Sequence, residues 1–581
     1  MEDVKYKVDG RKVLIMKKVA GSFLGIYKKR KSGMNNFKIF IIPILAILVS
    51  ASTLAGVNLK NGNFYISYTD IKVPGGGHDL EITRTYNSKS ADKGWFGVGW
   101  GSDYETFLNV GPDGSIVIYE NGSGAQTRFT SKESINVEDA AKKIVDAMRK
   151  TSELSENVAQ DLMKKLKGDE VLRRTYAQKY KVKSEFADGT ILYSNVRGIQ
   201  TVKKHADGFV RSYSDGRSEN FNLSGKLIKV SDKNGYSVTL NYNKGNTLES
   251  IKDSQGKQLF FEWYPDSKVK NIWSAGDKKT VYKYDGDNLV ESLDVEDNVY
   301  KYQYDSNHNM TKITYSNLST LEIAYDRKMQ FVSEITTRTG EKTKYSYGSN
   351  PQNPQLHYWT EVSKVGKDGK IENDSTNKYE YEMKVRPDGS QYTYRIVTGQ
   401  PGFETETIYS ECCSLPLKIT RGKHVTNFEY NDKGLLVKKS STKGEFVALT
   451  YHETFNKITR VVNNDGWTNF EYDKNGNLYK AENGAGKAVL LIYDSQGRIT
   501  KMVDHEKSTG KKRSLSFIYN ALGKPVEISM DNVGKINVVY DNYGEIKKVE
   551  PQSGHKMALE VTQAFQSLLS IVKPAGVNLN M

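Results

Sequence analysis

Residues Trp467–Tyr493, WTNFEYDKNGNLYKAENGAGKAVLLIY, decide the fold. Phe470 and Tyr472 share one face of an extended strand, because side chains alternate with period two. Asp473-Lys-Asn-Gly476 then reverses the chain. Asp and Asn bond their own backbone, and Gly accepts the left-handed conformation. Leu478 and Lys480 open the next strand, Asn483–Gly486 makes the return turn, and Lys487–Tyr493 forms the strand after it. One unit is two short strands and two turns, an antiparallel meander.

The same unit recurs in both directions. Tyr430, Tyr451, Tyr472, Tyr493, Tyr519 and Tyr540 follow one another at steps of 21, 21, 21, 26 and 21 residues. Upstream, Phe221, Tyr242, Tyr264, Tyr284, Tyr304 and Tyr325 step by 21, 22, 20, 20 and 21. Between Tyr325 and Tyr430 lie 105 residues, five periods in length, with a degenerate pattern. A Gly follows the aromatic by four residues at Gly225, Gly434, Gly476, Gly497, Gly523 and Gly544; in the Tyr304 unit that place is His308, a tolerated non-Gly residue there. The repeated Tyr and Asp therefore read as sheet-packing and turn residues rather than ligands. Periods of this length signal a repeat array rather than separate 150-residue domains.

Composition agrees. Among 581 residues, 37 are Tyr and 49 are Gly while only 12 are Pro, which leans the chain towards strands and tight turns. The net charge of +15 is concentrated at the front: residues 1–55 hold 11 Lys and Arg against 3 Asp and Glu, leaving +7 over the rest. With no basic stripe in the remainder, no nucleic-acid partner is expected.

The front end reads as an export signal. Ile39–Val49, IFIIPILAILV, is an apolar run of 11 residues, where a membrane span needs roughly 20. It fits a signal-peptide core followed by small residues. Cleavage after Ala55 is the first choice and after Ala51 the second. Translation starting at Met34 makes residues 1–33 a non-native or basic extension and 34–55 the signal peptide. The rivals are a long basic leader and a cytoplasmic tail on an uncleaved anchor. Membrane contact is expected only through this segment. Export to the periplasm, outer surface or medium permits disulfides, but Cys412 and Cys413 are adjacent and cannot staple distant parts. Aligned on Tyr409, Cys413 takes the turn place that Gly holds elsewhere, free or in a vicinal disulfide.

At this point the residues resemble the Rhs or YD-repeat family. Val73-Pro-Gly-Gly-Gly-His-Asp-Leu80, Ile82-Thr-Arg84-Thr-Tyr86-Asn87-Ser88 and Gly94-Trp-Phe-Gly97-Val-Gly-Trp100 are similar to the stretch that opens the repeat region in these proteins. The resemblance covers roughly residues 56–555. It implies repeats spiralling into one wide sheet that closes as a hollow shell, enclosing a toxin or serving cell-surface contact. The family's toxin carriers add a segment rich in Arg-Tyr, Asp-Pro and Gly, then a variable effector. Neither is found here, and the aspartates of their self-cleavage have no match.

Two segments break the β-pattern. In 131–182, Ile144, Val145, Met148, Leu154, Val158, Leu162, Met163 and Leu166 recur at helical spacing, with Glu138 and Asp139 suiting a first turn. Two or three amphipathic helices are expected, capping a sheet edge or shell mouth, or else binding a partner. Met557, Val561, Phe565, Leu568 and Val572 share a face of a final helix that Pro574 stops, expected to dock internally.

The reading is an all-β chain: opening β-segment 56–130, helical insertion 131–182, YD-repeat array 183–555, and C-terminal helix and tail 556–581. No Walker loop, HExxH or GxSxG is present, and the eight His are scattered. No catalytic, cofactor-binding or metal residues are expected, and no cofactor. The expected function is a non-enzymatic exported shell for cell-surface contact, adhesion, or binding of a protein or glycan partner or an encapsulated protein cargo. The alternatives are a carrier of a separately encoded toxin and a carbohydrate-binding protein.

Overall fold

The computed structural model describes residues 6–8, 11–13 and 55–564, with short gaps that include 74–78, 132–135, 195–197 and 541–545. The expected signal core Ile39–Val49 and the chain from Phe565 onward lie outside the described residues, as does much of Val73–Leu80. The N-terminal unit, Met1–Leu48, contributes one hairpin, Tyr6–Val8 with Arg11–Val13.

From Ile191–Ser194 to Ile546–Pro551 the chain forms one 33-stranded sheet in which every strand pairs antiparallel with its sequence neighbour. The Asp-Gly turns explain the reversals. Asp473 Oδ1 accepts from the backbone N–H of Asn475 and Asn477, and Gly476 sits at φ +73°. Asp253, Asp294, Asp305 and Asp494 hold their turns with the same pair of bonds. His308 takes the left-handed place at φ +63°.

Each repeat tyrosine sits at a register shift, as between Glu471 and Tyr472. Such a bulge interrupts the ladder and leaves a backbone group to be satisfied elsewhere. The next unit supplies the partner. Tyr472 Oη donates to the Ile458 carbonyl at 2.7 Å, Tyr451 to Leu436 at 2.6 Å, Tyr325 to Met310 at 3.0 Å and Tyr304 to Leu289 at 2.8 Å. The ladder residue between Tyr242 and Tyr284 is Trp263, not Tyr264: Trp263 carries the register shift and its indole N–H donates to the Leu248 carbonyl at 2.7 Å. Tyr264 instead opens the turn, its N–H bonded to the Lys268 carbonyl. The spacing becomes 21, 21 and 20.

Cys413 does not take the turn place of Gly. Ser414, not Cys413, is left-handed at φ +52°, because Ser410 N bonds the Leu415 carbonyl across a loop one residue longer than Asp473–Asn477. Cys412 is exposed, Cys413 is buried, and the two are not joined in a disulfide. The degenerate stretch after Tyr325 is also a matter of length. Lys342–Ser349, His357–Val365, Asn377–Val385 and Gln391–Gln400 run to 8, 9, 9 and 10 residues, so the 21-residue period is lost while the pairing continues.

The opening segment forms a four-stranded sheet, Ala55–Asn58, Asn63–Val73, Leu80–Asn87 and Trp100–Ser102, and a three-stranded sheet, Phe107–Val110, Ile116–Tyr119 and Gln126–Phe129. Its Phe64, Ile66, Ile82 and Trp100 are buried in one core with Ile251, Ile272, Tyr282, Tyr302 and Ile313 of the array. Gly225 locks the two together: Leu108 N donates to its carbonyl at 2.8 Å, and a Cβ there would lie 1.9 Å from the Leu108 carbonyl oxygen.

Three helices follow: α1, Val137–Arg149; α2, Glu156–Gly168; and α3, Glu170–Lys179. Asn136 caps α1 by accepting from Asp139 N, and Asp169 caps α3 by accepting from Leu172 N. Ile144, Val145, Met148 and Leu166 fill a core among the helices themselves. At the other end, Met557, Val561 and Ala564 are helical and buried against Phe470, Val489, Met502 and Leu515.

Candidate functional surface

No catalytic, cofactor or metal residues are expected from sequence, so the functional candidates come from the structure. Four places combine exposed or buried chemistry.

The first is where the opening segment meets the array. Arg84, fully buried, pairs through Nε with Asp70 Oδ2 at 2.5 Å and donates through Nη2 to Ser292 Oγ and Tyr302 Oη at 2.7 and 2.9 Å. Its guanidinium lies 4.5 Å from the Trp100 ring and 4.9 Å from that of Tyr68. Tyr282 Oη donates to Asp70 Oδ2 at 2.8 Å. Burial pushes the Asp70 carboxyl up and Arg84 opposes it; burial likewise raises Tyr282, and Tyr302 to about 12. Nothing in this cluster faces solvent. It joins three strands of the opening segment to three strands of the array more than 200 residues away, and its role is to hold them.

Beside it opens a cleft of about 760 Å³ lined by Trp95, Glu105, Tyr242, Trp263, Lys226 and Asp266. Trp95 and Trp263 stand perpendicular with centroids 5.8 Å apart. Glu105 accepts from Trp95 N and Ser102 N at 2.6 and 2.8 Å, which favours its ionised form, yet burial pushes it up to about 8.

The second place is a bare stretch of sheet. Opening segment and C-terminal helix both pack on the face that carries the ladder tyrosines, one against the first half of the array and the other against the last part. Among the described residues neither core has a member that is buried between Ile335 and Leu449, although Tyr381, Tyr392 and Cys413 are buried there outside the two cores. Across that interval the row Tyr358, Tyr381, Ile396, Thr407, Ile419 and Thr426 runs from strand to strand in register. Its near edge is touched: Thr360 Oγ1 donates to the Leu59 carbonyl, and the Lys60 ammonium lies 5.5 Å from the Tyr381 ring and donates to Thr393 Oγ1 at 2.6 Å. From Ile396 to Thr426 the row is half-exposed.

On the reverse face of the same strands, His357, Glu380 and Glu382 bring three ligand atoms within 4.8 Å of one another. The donor set does not suit a cation. Arg395 pairs with Glu382 at 2.7 Å and Glu406 at 2.6 Å, Lys378 pairs with Glu380 at 2.7 Å, and His357 Nε2 is 2.9 Å from Glu380. The cluster is a surface ion-pair network.

The third place is the docking of the helices. Arg128 bridges Asp113 at 2.8 Å and Asp388 at 2.6 Å, and Arg173 Nη2 donates to the Asp388 carbonyl at 2.9 Å. Thus α3 caps the turn joining Asn377–Val385 to Gln391–Gln400. Burial pushes Asp388 up, but hydrogen bonds from Ser390 and Arg128 outweigh it and hold the carboxyl at about 2.

The fourth is a seam. The turn at Lys233 and Asn234 meets the turns at Gly476 and Gly497, from the far part of the array. The sheet therefore winds back until turns some 240 residues apart touch. Sequence reading missed these places because each joins residues from distant strands; the period gives the ladder but not which turns meet.

Comparison with known proteins adds the following. Residues 55–129 match a family described as a domain of unknown function, DUF6531. The chain is 23% identical over 346 residues to the tRNA3(Ser)-specific nuclease WapA of Bacillus spizizenii and to the tRNA nuclease WapA of Bacillus subtilis. The matched region is 51% of this chain but 12% of each relative's length. Among solved structures, TcdB2-TccC3-TEV matches over 88% of this chain and 31% of its own at 9% identity, with a TM-score of 0.37. The Photorhabdus luminescens Tc holotoxin pore matches over 85% and 29% at 9% identity, with a TM-score of 0.35. The chain is thus a β-sheet repeat protein with a DUF6531 segment at its opening and a distant similarity to part of WapA.

Proposed function

We propose that this chain is a non-enzymatic, exported β-shell scaffold of Rhs or YD-repeat type, and that its bare sheet face holds a polypeptide partner. One observation carries the reading: the ladder face is covered at both ends by the chain's own segments, and the row that starts at Tyr358 and Tyr381 is left half-exposed from Ile396 to Thr426. Tyrosine, with threonine and isoleucine beside it, offers contact area with hydroxyls that hydrogen-bond at low entropic cost, the composition favoured at protein interfaces. The resemblance of the repeats and of the opening segment to the Rhs family supports a shell, and the relatives named WapA and TccC3 make a toxin cargo the partner to test first.

The test is an electron microscopy map of the particle purified from the exporting cells, beside one of a variant carrying Ile396→Asp and Thr407→Asp. Density lying on the row in the first map and lost in the second is expected. A bare row in the exported particle overturns the reading. N-terminal sequencing of the same material tests export: a mature chain beginning near Gly56 is expected, and one retaining Ile39–Val49 counts against it.

A carbohydrate reading is favoured by a different observation, the cleft between Trp95 and Trp263, where indole faces and the Asp266 carboxylate are the groups sugars use. Glycan-array binding that survives Trp263→Ala excludes that cleft.

A further inference from the structure

At the seam, two ammonium groups converge on one carbonyl. Lys233 Nζ lies 3.3 Å and Lys457 Nζ 2.9 Å from the Gly476 carbonyl oxygen. Lys233 comes from the turn after Leu227–Ser231, Lys457 from the turn after Phe446–Tyr451. A carbonyl can accept from both, but it carries no charge to balance them. Among the described residues, neither ammonium has a carboxylate oxygen within 4.0 Å.

The acids nearby are already engaged. Asp215 is held by its own neighbour, Arg217, whose Nε and backbone N–H reach its two oxygens at 2.7 and 3.0 Å. Asp473 gives its oxygens to the Asn475 and Asn477 amides of its own turn and to the Asn477 side chain. Lys474 adds a third cation to the same cleft, which has a volume of about 480 Å³. Tyr472 presents its ring 5.6 Å from Lys457. Burial, and then Lys233, push Lys457 down to about 8, with Asp215 and Asp473 opposing only weakly. Like charges held together with no counter-charge are what an anion site looks like when the anion is not part of the chain.

We propose that a tetrahedral oxyanion, inorganic phosphate or sulfate, bridges Lys233 and Lys457 in this cleft and clasps the two windings of the sheet. The anion replaces repulsion across the seam with two charge-assisted hydrogen bonds, one to each winding. It thereby links residues 233 and 457 without any covalent staple.

The test uses the full chain and inorganic phosphate, titrated by calorimetry at constant ionic strength set with sodium chloride. Saturable binding of one phosphate per chain is expected. Lys233→Gln and Lys457→Gln should each weaken it about tenfold or more, as loss of a charge-assisted bond does. Without phosphate, both variants should melt at or above the wild-type temperature, since each relieves the repulsion; that reading also shows that they fold. Lys418→Gln, on an exposed strand elsewhere, should bind as wild type does. Raising the pH from 7 to 9 should weaken sulfate binding by the wild type, as Lys457 loses its proton while sulfate keeps its charge. Binding that does not saturate, or that is unchanged in Lys233→Gln and Lys457→Gln, overturns the proposal.

Discussion

The phenol of Tyr493 donates a 2.7 Å hydrogen bond to the carbonyl of Leu478, and Leu478 is the residue paired in the sheet with Tyr472, the aromatic of the preceding unit. Each unit therefore completes the bulge of the one before it. The tyrosine cannot be exchanged for phenylalanine without leaving a carbonyl unmet, although both rings fill the same space. Tyr493→Phe is expected to cost about 1 kcal/mol in urea unfolding. Tyr430→Phe, which loses the single bond to the Pro416 carbonyl, should cost a similar amount, and the two should add, because distant sites are independent. A neutral Tyr493→Phe would show that the phenol bond is incidental.

Arg84 and Asp70 should behave as a unit. Arg84→Met leaves a buried carboxylate without its partner and is expected to destabilise by roughly 3–5 kcal/mol. Adding Asp70→Asn should recover part of that loss. The readouts are thermal unfolding and limited proteolysis, with residues 55–129 released first in the single variant. Equal loss in single and double variants would contradict the pairing.

Asp388 gives a pH dependence whose sign follows from its depressed ionisation. Its carboxyl titrates near 2 when folded, below the ordinary value of 3.8. The folded form therefore gains from ionisation: the contribution is complete above pH 4 and is lost as the pH falls towards 2. With a side chain partly open to water, that contribution is about 1–2 kcal/mol. Acidification through this window should loosen the strand Gln126–Phe129, whose Arg128 holds the carboxylate, seen as faster amide exchange over 126–129. Asp388→Asn should show the loosened exchange at neutral pH; exchange that stays slow there would overturn the assignment.

Leu318 is 83% exposed and sits at φ +64°. Its side chain packs on nothing that would repay the left-handed backbone. Leu318→Gly is expected to stabilise the protein by about 1 kcal/mol, measured as a rise in the unfolding midpoint. A drop would mean that the leucine makes a contact in solution.

How much of this was readable in the chain depends on how local each feature is. The turn Asp473–Gly476 and the strand face of Phe470 and Tyr472 could be read from seven consecutive residues, because backbone preference and period two act locally. The helices over 137–179 were readable for the same reason. Trp263 was misplaced by one residue because Trp263 and Tyr264 are both aromatic, and only the bulge distinguishes them. Ser414 displaced Cys413 because loop length, not residue type, sets which position turns left-handed. The row from Tyr358 to Thr426 carries no periodic mark, since its strands have outgrown the repeat. Lys233 and Lys457 look like ordinary surface lysines in sequence; only the winding of the sheet brings them together.

The ladder and the seam respond differently to a change in copy number. Duplicating one 21-residue unit between residues 236 and 472 would leave every tyrosine beside a predecessor's carbonyl, so the ladder accepts any count. The same duplication would carry Gly476 past Lys233 and bring another turn into its place. The seam thus works as a gauge that accepts only certain tallies. Gains and losses of units among natural variants should then come in sets that restore the meeting of these two turns, or be confined to the stretches on either side of it.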